Sequence, residues 1–103
     1  MASREIRFIA AAPNGRIDAD TSPAFRTALD TKLKRANPNG AFDFVIDLSG
    51  ISYMSSVGIR ELLRIQKQTQ KRGGRVILDM ANDQIEEKIR LTGLERLLPE
   101  KTP

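Results

Sequence analysis

The stretch from Phe44 to Lys71 constrains the fold most. Phe44-Val45-Ile46-Asp47-Leu48 is a short apolar run rich in β-branched and aromatic residues, the composition of a buried strand. Apolar side chains at successive positions predict burial on both faces, hence a central strand. From about Val57 to about Lys71 the apolar spacing becomes helical. Between the two lies Tyr53-Met54-Ser55-Ser56-Val57-Gly58-Ile59, which reads as a tight loop delivering two hydroxyls to the first turn of a helix. Such a turn has unpaired N–H groups and the positive end of the helix dipole. A serine there serves as a cap or carries a phosphate, since the same groups favour an anion. Both readings stay open on these residues alone.

The rest of the chain builds around this unit. Ile6 and Phe8 alternate with charge in Glu5–Ala11, which predicts an N-terminal strand. Pro13-Asn14-Gly15 marks a turn. Ser22-Pro23 signals a helix start, and Phe25, Ala28, Leu29 and Leu33 supply its apolar stripe. Lys32, Lys34 and Arg35 fill its last turn, and Asn37-Pro38-Asn39-Gly40 ends it. Gly73-Gly74 introduces a second central strand, Arg75–Met80. Asp83 and Glu86 stand at capping-box spacing before a helix carrying Ile85 and Ile89 and stopping near Gly93. Leu94, Leu97 and Leu98 form a short apolar end. Alternating strands and helices predict an α/β sheet covered by helices, with a right-handed parallel crossover between the two central strands.

In the helix after the serines, Ile59, Leu62, Leu63 and Gln66 share the core side. Arg60, Arg64, Lys67 and Lys71 form a narrow basic stripe, either a solvated face or a docking face for an acidic partner. Ile65 belongs to neither, and is read as an exposed residue available to a partner.

Composition then removes whole classes of function. The 103 residues fit one domain, 1–103, with 40% apolar and 29% charged residues. There is no cysteine and no histidine, which excludes thiol chemistry, disulfides, histidine bases and the common metal ligands. No cofactor or metal site is expected. An enzyme would have to use Asp18, Asp47 and Asp79 at strand ends, where aspartates ordinarily cap and turn the chain, so the expectation is a non-enzyme. The 17 basic and 13 acidic residues leave a formal charge of +4, which permits an acidic partner or surface without requiring nucleic acid. No apolar run is long enough to insert in a membrane. The N-terminus lacks the apolar core of a signal peptide. A cytoplasmic protein is expected, and the oligomeric state stays open.

The ordered set Gly15-Arg16-Ile17-Asp18, Val45–Gly50, Tyr53–Gly58, Gly73-Gly74 and Leu91-Thr92-Gly93-Leu94 resembles the STAS domain family of bacterial anti-sigma factor antagonists, over nearly the whole chain. The resemblance implies a single domain with a mixed four- to five-stranded sheet and helices mainly on one face. It also implies partner switching: the unphosphorylated protein binds an anti-sigma factor that is a serine kinase, and phosphorylation of the loop serine releases it. Counting back from Gly58, the phosphorylated position falls on Ser56, with Ser55 as the alternative. Ser55 takes the place of the family's aspartate, and Val57 that of the following hydroxyl residue. Asp18 matches the loop aspartate near the phosphorylation loop. The implied partner surface is Asp18, Asp20, Ser55, Ser56, Val57, Gly58, Arg60 and Arg64. The segment before Gly15 is short for the family, which predicts that one leading strand is abbreviated. The other reading is a permanent adaptor, such as a stress-signalling scaffold or an accessory protein of lipid transport.

Overall fold

The computed structural model describes residues 4–36 and 40–99. The strands are β1 (Arg4–Ile9), β2 (Arg16–Ile17), β3 (Phe42–Asp47), β4 (Tyr53–Met54) and β5 (Gly74–Asp79). The helices are α1 (Ser22–Arg35), α2 (Ser56–Lys71) and α3 (Asp83–Leu91), with single helical turns at Pro13–Gly15 and Glu95–Leu97.

The sheet differs from the mixed one implied by the resemblance. Every strand pair is parallel, and the strands divide into a three-stranded sheet, β1-β3-β5, and a two-stranded pair, β2-β4. β1, in the segment before Gly15, runs for six residues, and β2, which follows Gly15, has two. β3 is central as expected, but β5 lies at the margin, paired only with β3 among the described residues. Its apolar content misled because one of its neighbours is a layer of helix rather than another strand. The register sets Ile6, Phe44 and Val76 in one row and Phe8, Ile46 and Leu78 in the next. These rows join the core with Leu29, Leu33, Leu62, Ile65, Ile85 and Ile89, and alternation along each strand accounts for the choice of face. On the other face Arg7 bridges Asp47 (2.9 Å) and Asp79 (3.4 Å), and Arg75 pairs with Asp43 at 2.8 Å.

Three local expectations need correcting. Ile65 is fully buried: α2 is covered by the sheet on one side and by α1 on another, so its apolar surface is wider than one stripe. Ala28 is exposed, one residue away from the Phe25–Leu29–Leu33 seam. The helix start signalled by Ser22-Pro23 is where α1 begins, with Ser22 its buried first residue and Asp18 and Thr21 bonding just before it. The cap of α3 is Asn82, whose side-chain oxygen accepts the Ile85 N–H at 2.9 Å, one residue before the Asp83 expected to do so. Of the loop Asn37-Pro38-Asn39-Gly40, residues 37–39 lie outside the described residues.

Candidate functional site

The serine corner begins with strand pairing. β2 lies parallel to β4, with Arg16 opposite Tyr53 and Ile17 opposite Met54. This brings the Gly15–Asp18 segment to the serines although some forty residues separate them. Ladder-like bonds extend the pairing, from Ser52 N–H to Gly15 C=O at 2.7 Å and from Ser55 N–H to Ile17 C=O at 2.8 Å. Gly15 has φ +67° and an added Cβ would meet the Gly50 carbonyl oxygen at 3.0 Å, so both backbone freedom and close approach call for glycine.

The opposite side of the corner is fixed by α3. Lys88 Nζ donates to the Met54 carbonyl at 2.7 Å, and Asn82 Nδ2 donates to the Ser52 carbonyl at 3.2 Å. Tyr53 is held between two cations: Arg16 Cζ lies 4.2 Å and Lys88 Nζ 4.3 Å from its ring centroid. Each such contact contributes on the order of 0.5–1 kcal/mol at an exposed site. Backbone acceptors, a ring and two cations thus hold the loop from both flanks.

The two serines have opposite environments. Ser55 flanks α2 with extended backbone, φ −79° and ψ 174°, but its side chain makes no capping bond. Its hydroxyl oxygen is enclosed and has no hydrogen-bond partner among the described residues, so the capping role open to it in the sequence is not taken. Ser56 is the first residue of α2, and it is exposed. Its backbone belongs to the turn whose N–H groups have no helical partners, and the dipole there favours an anion. Gly58 is buried, and a Cβ on it would meet Met54 Cγ at 2.5 Å and Ile17 Cγ2 at 2.9 Å. It therefore acts by letting α2 press against β2 and β4.

Asp18 is half-buried and serves the β2–α1 turn. Its Oδ1 accepts the N–H groups of Asp20 at 3.0 Å and Thr21 at 3.2 Å, while Thr21 Oγ1 donates to the Arg16 carbonyl at 2.8 Å. Asp20 is exposed beside it, Val57 is half-buried and Arg60 is exposed. Arg64 belongs elsewhere: it bonds Asp30 of α1 at 2.8 Å and Glu61 at 2.7 Å, tying the two helices together. The basic stripe is therefore broken at its second position. Asp47 and Asp79 share Arg7 on the helix-free face, whereas Asp18 holds a turn at β2. Among the described residues no cluster of acidic side chains suits a metal ion, and no helix is long and apolar enough to cross a membrane.

Asn82 and Lys88 were missed as members of this corner, and Arg16 and Tyr53 were read there only as parts of their motifs, not as a ring held by cations. Their sequence positions are far apart, and only the fold brings a ring from one strand under a lysine from the last helix. A family model described as the STAS domain matches residues 6–102. No curated protein matches the chain.

Proposed function

The chain belongs to the STAS domain family, and from that premise we propose that it is an anti-sigma factor antagonist, not an enzyme, that acts in the cytoplasm by partner switching. Unphosphorylated, it docks on an anti-sigma factor that is a serine kinase. That kinase phosphorylates Ser56, and the complex separates. The observation that carries this reading is the contrast at the corner, with Ser56 exposed on the first turn of α2 and the neighbouring Ser55 hydroxyl enclosed. A kinase approaching from solvent meets the first and not the second. Asp18, Asp20, Val57 and Arg60 frame the acceptor, while Ser55 and Gly58 shape it from beneath and Arg64 braces α2 against α1.

A phosphate adds roughly −1.5 to −2 charge near neutral pH. Within this domain the start of α2 tolerates it, through free N–H groups and the helix dipole. The loss falls on the interface, where the serine must sit beside a nucleotide site rich in phosphate and carboxylate. A penalty of a few kcal/mol there lowers affinity by two or more decades. The pinned corner supports a switch that works by charge at a fixed surface rather than by refolding.

One observation favours the adaptor reading: Ser55 supplies no negative charge where the family pattern has aspartate, so a kinase that reads that acid has nothing to read. Incubating the chain with its cognate kinase and ATP, then measuring intact mass, separates the two. A single phosphate mapped to Ser56 is expected. No mass gain would assign the protein to permanent docking.

A further inference from the structure

The charges of this domain are sorted toward one end. α1 and α2 run side by side, and their last turns touch: the Arg72 guanidinium donates to the Leu33 and Ala36 carbonyls. The first residues of β3 and β5 lie at the same end, with Phe42 opposite Gly74 and Arg75 paired to Asp43. Residues 4–5, 30–36, 42–43 and 64–75 hold nine basic and three acidic side chains, leaving eight basic and ten acidic for the rest of the chain. The overall positive charge is therefore a property of this pole. The three carboxylates at the pole are engaged, Asp30 with Arg64, Asp43 with Arg75 and Glu5 with Arg7. Lys32, Lys34, Arg35, Lys67 and Lys71 are exposed and form no ion pair among the described residues. Lys34 and Arg72 also flank an open groove of about 300 Å³ between the helices.

We infer that this basic pole is a peripheral docking surface for a membrane rich in anionic lipid. The side-chain chemistry selects that partner. Four of the five free cations are lysines, flexible point charges that make poor bidentate contacts and are depleted from specific protein interfaces. Single-stranded nucleic acid wants aromatic platforms beside the cations, and here Phe25, Phe42 and Phe44 are buried while Tyr53 lies at the other end of α2. A lysine cluster with no apolar wedge suits a diffuse negative surface, where each cation near the headgroups strengthens partition about fivefold. The sixteen residues of α2 hold Ser56 roughly 20 Å from such a surface, at 1.5 Å rise per residue, beyond the screening length of about 8 Å at physiological salt. The serine corner therefore stays open to its partner, and the inference does not depend on the phosphorylation of Ser56.

The test is co-sedimentation of the purified full chain with vesicles of phosphatidylcholine alone and of phosphatidylcholine with one third phosphatidylglycerol, at low and high salt. Binding to the anionic vesicles only, and its loss at high salt, is expected. Lys67→Gln with Lys71→Gln should weaken it by on the order of twentyfold. Arg26→Gln with Arg96→Gln, the same charge change outside the pole, should leave it within about twofold. Far-UV CD of both pairs confirms that the fold is kept. Absence of anionic-vesicle binding, equal weakening by the two pairs, or tighter binding of duplex DNA than of vesicles would each overturn the inference.

Discussion

At the residue scale, Ser55 and Ser56 make different predictions about stability. The Ser55 hydroxyl is enclosed without a partner among the described residues, and an unpaired buried hydroxyl is unfavourable by about 1–3 kcal/mol. Ser55→Ala should therefore leave stability unchanged or raise it by up to about 1 kcal/mol in urea unfolding, while Ser56→Ala at the exposed first turn stays within about 0.5 kcal/mol. Gly58→Ala gains helix propensity but drives a methyl into Met54 and Ile17; overpacking of that kind outweighs propensity, and a net loss of about 1–3 kcal/mol is expected. Asp47 carries the pH dependence. Hydrogen bonds from Ser49, with the charge of Arg7 adding to them, hold its carboxyl below the ordinary carboxylate range. A folded pKa below the unfolded one, about 3.9, means that this contribution is complete above the unfolded value and disappears as pH falls through the folded one. Asp47→Asn should flatten the acid limb of the melting-temperature profile, whereas a limb identical to wild type would remove Asp47 from that account. These residue-level facts were partly legible. Two adjacent hydroxyls and a following glycine mark the corner in sequence, but which hydroxyl faces water depends on how far α2 sinks against β2 and β4.

At the element scale, α2 organises the domain because it has neighbours on two sides. Its apolar face toward the sheet was readable from helical spacing, since Ile59 and Leu62 repeat at the right interval. The face toward α1 was not, because Ile65 counts as interior only once a second helix covers it. Ile65→Ala should cost about 2–5 kcal/mol by chemical denaturation, a loss that an exposed isoleucine would not show. The same packing explains Arg72, which sits just after α2 yet satisfies carbonyls at the end of α1. Charged hydrogen bonds are worth about 1.5–3 kcal/mol each before solvent exposure is discounted, so Arg72→Ala should destabilise by about 1–2 kcal/mol. β3 was legible as central because apolar side chains follow one another at Phe44, Val45 and Ile46; the parallel split into β1-β3-β5 and β2-β4 was not, because a two-residue strand leaves no periodicity to read.

At the scale of the whole molecule, the domain places its candidate corner at the start of α2 and its surplus positive charge at the far end. The corner was recognisable from the order of its short motifs, and its supporting side chains Arg16, Asn82 and Lys88 only from the fold. The central claim is that a charge placed on Ser56 dismisses the partner while the domain stays as it is. Titration calorimetry of the wild-type chain and of Ser56→Asp against the cognate anti-sigma kinase tests it most directly, with far-UV CD and thermal melting run alongside. The account predicts affinity at least about a hundredfold weaker for Ser56→Asp, with superimposable CD and melting; equal affinity for the two proteins would contradict it.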